Sequence, residues 1–144
     1  MIFSIVKKTR TKKTETAKDE KYYIHIDVFR SYIFRDKDFK FSKKYVGPRK
    51  NIATSVVTIE QLLDEIKKKK VKIDLLKSIK KLKKLALLPL TEKVLEEAVK
   101  ISKKYKLPLY DAIHFSTCSV NKMKMIVLDK KLAKLKIVES ETPY

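Results

Sequence analysis

The segment Leu107–Asp129 reads LPLYDAIHFSTCSVNKMKMIVLD, and it combines a predicted helix, a predicted strand and a carboxylate at the entrance of each. Pro108 disfavours helix before Asp111, so this aspartate caps or opens the next helix. The residues that follow it are apolar or small on nearly all sides, as in a helix that packs against several elements. Met125–Leu128 is a short apolar run, typical of a strand buried on both faces, and the segment ends on an aspartate directly after it.

The composition indicates one basic globular domain. The chain has 144 residues, of which 44% are apolar, so it can form a core. Its formal net charge of +19 favours a polyanionic partner, with nucleic acid ahead of a membrane surface. No apolar run approaches the roughly 20 residues needed to span a bilayer, and the N-terminus lacks the order of a secretory signal, so we expect a cytoplasmic protein. Cys118 is the only cysteine, which excludes an internal disulfide and a cysteine-rich zinc site.

Two parts of the chain differ in character. Residues 1–20 form a basic, threonine-rich N-terminal extension, and residues 21–144 form the predicted domain. The extension is either a solvated tail or an arm that binds nucleic acid, and Ile2–Val6 could add a strand to a sheet edge. The chain also has one glycine, no tryptophan and many lysines, a balance that resembles thermophile proteins and predicts thermostability, although an AT-rich genome would produce much the same bias.

Predicted strands and helices alternate along the domain. In chain order they are a strand Tyr22–Ile26, a helix over about 29–34, a helix opened by the capping box Thr58–Gln61, an amphipathic basic helix within Val71–Leu85, a strand Leu85–Leu88, a helix Glu92–Tyr105 capped by Thr91, the helix and strand quoted above, and a short strand Ile137–Val138. This order predicts an α/β fold with a small, mainly parallel central sheet flanked by helices.

Four carboxylates are predicted to meet at one edge of that sheet. Asp27 and Asp129 follow strands, whereas Glu60 and Asp111 lie in the first turn of helices that begin at the same edge. Each acid alone has an ordinary explanation as a helix-terminal or turn residue. Together, carboxylates about 5 Å apart repel by roughly 3 kcal/mol per pair at an effective dielectric constant near 20, so such a cluster calls for a cation. Oxygen ligands suit Mg²⁺ or Mn²⁺, which can activate water for attack on a phosphodiester.

These residues resemble those of the PIN domain family. The strongest match is Asp111–His114, followed 18 positions after Asp111 by Asp129 behind Ile-Val-Leu. Ser55–Glu60 is similar to the segment that supplies the family's glutamate, and Tyr22–Asp27 to its first strand and first aspartate. The resemblance covers about residues 22–143.

The resemblance implies a three-layer α/β/α sandwich and a Mg²⁺- or Mn²⁺-dependent ribonuclease, with RNA as the partner. It also implies that the catalytic and metal-binding residues are Asp27, Glu60, Asp111 and Asp129. Many small members are VapC-like toxins, which are inhibited by an antitoxin protein and often form homodimers.

The chain departs from the family pattern at two places. Val28-Phe29 follows the first aspartate where a small hydroxyl residue and asparagine are usual, and Val127-Leu128 precedes the last aspartate where a hydroxyl residue is common. An RNA- or DNA-binding module with weak or no catalysis therefore stays open as an alternative, as does a DNA nuclease. His114 and Ser55 are candidate auxiliary residues, although for His114 a structural role is favoured over contact with substrate.

Overall fold

A computed structural model describes residues 21–47, 51–80 and 85–144, apart from the side chain of Ile79. The basic extension predicted over residues 1–20 lies outside the described residues, as does the strand suggested for Ile2–Val6.

Over the described residues the sheet has five strands, and all of their pairings are parallel. The strands are β1 (Tyr22–Ile24), β2 (Ile52–Ser55), β3 (Leu85–Leu88), β4 (Lys124–Ile126) and β5 (Ser140–Glu141), in the spatial order β3-β2-β1-β4-β5. β1 is the central strand. Its Tyr22 pairs with Ile52 of β2 on one side and with Lys124 of β4 on the other. The predicted parallel α/β fold is confirmed.

Seven helices connect and cover these strands in the described part of the chain. They are α1 (Ile26–Phe34), α2 (Phe39–Tyr45), α3 (Val56–Lys68), α4 (Leu75–Lys80), α5 (Glu92–Tyr105), α6 (Leu109–Val120) and α7 (Lys130–Lys134). Within the same residues, no helix has the length and apolar character that a membrane span requires.

Helices cover both faces of the sheet because successive strand residues point to opposite sides. Ile24 of β1 belongs to an apolar cluster with residues of α1 to α4, whereas its neighbour Tyr23 packs in a second cluster with Phe115 and Cys118 of α6. All four of these side chains are fully buried. The two clusters on opposite faces make the three-layer α/β/α arrangement that was expected.

The first strand ends earlier than predicted. We expected a strand through Ile26 with His25 and Asp27 on one face, but β1 stops at Ile24 and Ile26 begins α1. His25 is the N-cap residue of that helix, and its Nδ1 lies 3.2 Å from the backbone nitrogen of Asp27. The strand prediction failed here because the imidazole can cap a helix, and Asp27 consequently lies in the first helical turn.

The N-cap residue of the third helix lies three residues before the predicted one. Ser55, not Thr58, is the N-cap residue of α3, and its hydroxyl accepts a hydrogen bond from the Val57 N–H at 3.1 Å. Thr58 is buried inside the helix, where its hydroxyl bonds the Thr54 hydroxyl at 2.8 Å. Both residues can cap a helix, so the sequence alone did not distinguish them. The earlier start moves Glu60 from the first turn to the second.

The helix predicted within Val71–Leu85 begins later than expected in the structure. α4 spans Leu75–Lys80, residues 81–84 lie outside the described part, and β3 begins at Leu85 as predicted. Asp74 accounts for the late start, because its carboxylate accepts a hydrogen bond from the Lys77 N–H at 3.0 Å, as an N-cap residue does.

Other boundaries were predicted with mixed success. The helix Glu92–Tyr105 is confirmed with its cap, since the Thr91 hydroxyl accepts from the Val94 N–H at 3.1 Å. α2 was not predicted, because its lysines obscured the apolar residues that turn inward. The last strand is Ser140–Glu141 instead of Ile137–Val138, whose side chains pack against the second apolar cluster.

Candidate active site

Three aspartates meet where the parallel strands end. Asp27 follows β1, Asp129 follows β4, and Asp111 lies in the first turn of α6. The carboxylate of Asp27 accepts a hydrogen bond from the backbone N–H of Asp129 at 3.0 Å. The charges of both residues also act on the pKa of Asp111. This is the edge at which open parallel sheets bind their ligands.

Asp27 joins α1 to the loop after β4. Both of its carboxylate oxygens lie 3.1 Å from the Leu128 nitrogen, and Oδ1 lies 3.1 Å from Nδ1 of His25. Burial by itself raises the pKa of Asp27, but the hydrogen bond and charge of His25, together with the two backbone N–H donors, more than offset it. The pKa of Asp27 therefore lies below its ordinary value of 3.8, and this side chain is an anion at neutral pH.

Asp129 is exposed and is the N-cap residue of α7. Its Oδ1 accepts hydrogen bonds from the backbone N–H groups of Lys131 at 2.8 Å and Leu132 at 3.2 Å. Its other oxygen has no hydrogen-bond partner among the described residues. One oxygen thus orients the side chain, and the second is available to a ligand.

Asp111 is half-buried, and its carboxylate has no hydrogen-bond partner within the described residues. Burial raises its pKa above the ordinary value of 3.8, and the charges of Asp129 and Asp27 add to that effect. His25 and Arg30 act in the opposite direction but do not cancel it. Asp111 is therefore the carboxylate of the three whose charge is least well compensated, and a bound cation would relieve it.

Arg30 brings a positive charge to this edge, and the sequence analysis did not identify it. It forms a bidentate ion pair with Glu65 of α3. Nε lies 2.9 Å from Oε2 of Glu65, and Nη2 lies 2.7 Å from Oε1. The pKa of Arg30 is raised first by that hydrogen bond and further by the charges of Glu65, Asp27 and Asp111. A signal was present in the sequence, because Arg30 lies three residues after Asp27 and so shares its helical face.

His114 lies beneath the acids in a buried hydrogen-bond chain. Its Nε2 is 3.0 Å from Oε1 of Gln61, and its Nδ1 is 2.7 Å from the hydroxyl of Tyr23. A neutral imidazole satisfies both contacts, since Nε2–H donates to the amide oxygen and Nδ1 accepts from the tyrosine. Burial, reinforced by His25, lowers the pKa of His114 well below its ordinary value. The side chain thus links α6 to α3 and β1, which is the structural role favoured from the sequence.

Glu60 and Gln61 point in different directions from α3. Gln61 turns toward His114, whereas Glu60 is exposed and lines an open cavity of about 480 Å³ together with Tyr110. Ser55 is fully buried and caps α3 through its hydroxyl. The structure therefore connects three of the four predicted acids through hydrogen bonds and charge, and it places Glu60 on the adjoining surface.

The departures from the family pattern are accommodated in the core. Val28 and Phe29 are buried in the cluster on one face of the sheet, and Val127 is buried in the cluster on the other. Nearby, Nε2 of His25 is buried without a hydrogen-bond partner in the part of the chain that the structure describes.

The donors at this edge fit a hydrated cation better than a closed protein cage. Within residues 21–47, 51–80 and 85–144, no three His, Cys, Asp or Glu side chains are arranged to hold a metal together. Backbone N–H groups also donate to both oxygens of Asp27 and to one oxygen of Asp129. Mg²⁺ usually keeps several waters and takes only one or two carboxylates plus substrate phosphates. Asp111 and the free oxygen of Asp129 meet that requirement.

Comparison with known proteins agrees with this architecture. The family model described as PIN domain matches residues 27–138, a range that contains all the acids discussed above. A search of curated proteins found no match.

Several solved structures share the fold at low sequence identity. A toxin–antitoxin complex from Klebsiella pneumoniae matches with a TM-score of 0.67 and 19% identity, covering 85% of this chain and 98% of the other. VapBC2 from Rickettsia felis, bound to a DNA fragment from its promoter, matches with a TM-score of 0.64 and 13% identity, covering 85% and 98%. PAE2754 from Pyrobaculum aerophilum matches with a TM-score of 0.56 and 18% identity, covering 85% and 84%.

Proposed function

Because the chain belongs to the PIN domain family, we propose that it is a cytoplasmic, metal-dependent endoribonuclease that hydrolyses RNA phosphodiester bonds. The observation that carries this proposal is that three aspartates interact at one edge of the sheet. Asp27 accepts a hydrogen bond from the Asp129 backbone, and the charges of both residues raise the pKa of Asp111. Carboxylates at that edge, on a chain of formal net charge +19, suit metal-assisted chemistry on a polyanion. Residues 21–144 are the proposed nuclease domain, and residues 1–20 are its basic extension.

In this proposal the three aspartates have different tasks. Asp111 and Asp129 are the metal ligands with free oxygens, while Asp27 holds the backbone of Asp129 in position and adds its own charge. A bound Mg²⁺ or Mn²⁺ would activate water and stabilise negative charge on the phosphate. Arg30 balances the charges of Asp27 and Asp111 before substrate binds. Glu60 is retained as a candidate fourth acid, and Glu60→Gln tests its contribution separately because its exposed side chain makes no hydrogen bond or ion pair within the described residues.

The experiment that tests the proposal is cleavage of structured and unstructured RNA in Mn²⁺, with EDTA as the metal-free arm. We expect Asp111→Asn to reduce the rate by at least about 100-fold, because the loss of a group that stabilises transition-state charge typically has that effect. Glu97→Gln is the matched control, since it neutralises an acid on α5 whose Lys100 partner is exposed. Equal cleavage by the wild type and Asp111→Asn, or no cleavage by either across a broad RNA panel, would exclude the proposed ribonuclease activity.

A second candidate function is an RNA- or DNA-binding module that has lost efficient catalysis. The observation that favours it is the burial of Val28, Phe29 and Val127 in the core, because none of them can provide polar support to the neighbouring aspartates. RNA binding that survives EDTA, with no cleavage in Mn²⁺, would select this function. Cleavage of DNA in preference to RNA would instead identify a DNA nuclease.

We also propose that the protein is a toxin with an antitoxin partner, as in the complex from Klebsiella pneumoniae that shares its fold. An apolar groove of about 450 Å³ runs between α1, α2, α3 and α4 and is lined by Phe29, Tyr32 and Ile33 among others. Arg35 and Lys43 lie on its rim and are exposed, so the groove suits an acidic amphipathic segment. If an adjacent gene encodes the antitoxin, its product should bind this protein and inhibit cleavage in the RNA assay.

A further inference from the structure

A second open cavity is lined in part by two of the aspartates. It measures about 460 Å³ and brings two of the aspartates together with basic and aromatic side chains that the proposed chemistry does not use. Its lining residues are Asp27, Lys37, Asp38, Leu128, Asp129, Lys130 and Tyr144.

The segment that carries Tyr144 is held at this cavity by hydrogen bonds to two different loops. The Tyr144 hydroxyl donates to Oδ1 of Asp38 at 2.7 Å, just before α2. Two residues earlier, the Thr142 hydroxyl donates to the carbonyl oxygen of Leu128 at 3.2 Å, beside the Asp129 backbone. The segment after β5 is therefore tied across the end of the sheet, and the position of the ring is part of the fold.

The aromatic ring is nevertheless accessible. Tyr144 is 56% exposed although its hydroxyl is hydrogen-bonded. Nζ of Lys37 lies 5.9 Å from the ring centroid, and Lys130 follows Asp129 directly on the same cavity wall. An exposed ring beside lysines is the combination by which proteins bind single-stranded nucleic acid, because bases stack on the ring and cations neutralise the backbone.

We propose that this cavity binds one nucleotide of a single-stranded RNA, adjacent to the phosphate at the aspartates. The base stacks on Tyr144, and Lys37 and Lys130 contact the flanking phosphates. The inference rests on the proposed nuclease function, since it gives that site a substrate subsite. If Tyr144 only anchored the segment after β5 through Asp38, Tyr144→Phe would lose that hydrogen bond and would weaken binding as much as Tyr144→Ala.

The test is binding of a fluorescent single-stranded RNA of about ten nucleotides, measured by anisotropy in EDTA so that cleavage does not interfere. We expect Tyr144→Ala to weaken binding about 10-fold, and Tyr144→Phe to stay within about 2-fold of wild type because it keeps the ring. Lys37→Ala should weaken binding and reduce the slope of log K against log[salt] by about 0.7. Lys104→Ala is the matched control, since Lys104 also lies beside a tyrosine ring, that of Tyr105 at 5.3 Å, but on α5.

A second RNA with abasic nucleotides tests whether base stacking on Tyr144 accounts for the affinity. The wild type should bind it about as weakly as Tyr144→Ala binds the normal RNA, and Tyr144→Ala should bind both RNAs equally. Wild-type affinity in Tyr144→Ala, equal losses in Tyr144→Ala and Tyr144→Phe, or no binding by the wild type at low salt would each overturn the subsite. Cleavage in Mn²⁺ is scored separately, so a nuclease without this subsite and a subsite on an inactive protein give different results.

Discussion

Asp27 illustrates how one residue can combine a candidate catalytic role with a structural one. Its carboxylate is largely buried, with 14% of the side chain exposed, and it accepts hydrogen bonds from the backbone of Leu128 and Asp129 across the end of the sheet. Hydrogen bonds to a charged acceptor contribute more to stability than those between neutral groups. The residue therefore stabilises the fold even when no metal is bound.

Asp27→Asn should lower the free energy of unfolding by about 2 kcal/mol at pH 7 in EDTA, because an amide cannot accept the same bonds on both of its atoms. The effect should depend on pH. Since the folded-state pKa lies below the ordinary 3.8, the stabilisation is complete above that value and is lost as the pH falls through the lowered pKa. Urea unfolding of both proteins at pH 7 and near pH 3 measures the difference, which should narrow at the lower pH.

The control for this measurement is Asp64→Asn, which neutralises an exposed acid of α3 in an ion pair with Lys68. It should change stability by less than about 1 kcal/mol. Equal stability of the wild type and Asp27→Asn at pH 7 would contradict the structural role of Asp27.

At the scale of the elements, the helix ends share an unusual feature. Among the described residues, five that are not glycine have positive φ angles near 53°, and each is a lysine or arginine one or two positions after a helix: Arg35, Lys70, Lys106, Lys122 and Lys136. A cation suits the C-terminal end of a helix dipole, but the left-handed conformation costs roughly 1 kcal/mol for a residue with a Cβ atom. Glycine usually occupies such positions. These helix ends should lower the free energy of unfolding, and the thermostability expected from the composition stays a prediction.

Lys106→Gly should raise the free energy of unfolding by about 0.5 kcal/mol, because glycine removes the strain at φ 54° while adding some entropy to the unfolded chain. Lys104→Gly, two residues earlier and inside α5, should instead lower it by about 1 kcal/mol. Denaturant unfolding of both variants checks the pair. A change of the same sign in both would show that the left-handed conformation at Lys106 is not the cause.

At the scale of the whole molecule, α5 presents a surface that can pair with a second copy. Leu95 and Val99 are 41% and 39% exposed on one face of the helix. Beside them, Glu92 and Glu96 precede Lys103 at helical spacing, so the strip is acidic in its first half and basic in its second. Two copies related by a two-fold axis would cross antiparallel, with each acidic half opposite a basic half. The homodimer expected from the family resemblance therefore has a self-complementary surface available.

Glu96→Lys should weaken such a dimer at least about 10-fold, because the two-fold axis repeats the like-charge contact in both copies. Glu96→Lys combined with Lys103→Glu should restore it, since the reversed strip is again self-complementary. Sedimentation velocity over a concentration series measures the mass, with Lys77→Glu, at an exposed lysine of α4, as the control. A wild-type protein that remains monomeric at all concentrations would exclude this interface.

β2, α2 and α7 were not predicted, whereas the sequence by itself determined the parallel α/β class and the limits of α5 and β3. These depend on local signals such as hydrophobic periodicity, Thr91 as a cap and Pro89 after an apolar run. The C-terminal end of β1 and the start of α3 were missed because His25 and Ser55 act through side-chain bonds that competing residues could equally make. Local patterns do not distinguish between such alternatives.

Only the tertiary structure decided which side chains surround the aspartates. The packing of α3 against α6 turns Gln61 toward His114 and leaves Glu60 exposed, although the two residues are adjacent in the chain. In the same way, Arg30 meets Glu65 across 35 positions, and Tyr144 meets Asp38 across 106. The physical reason is that such contacts depend on how whole helices and strands are rotated and packed against each other, and residues distant in the chain share no periodic signal that reveals it.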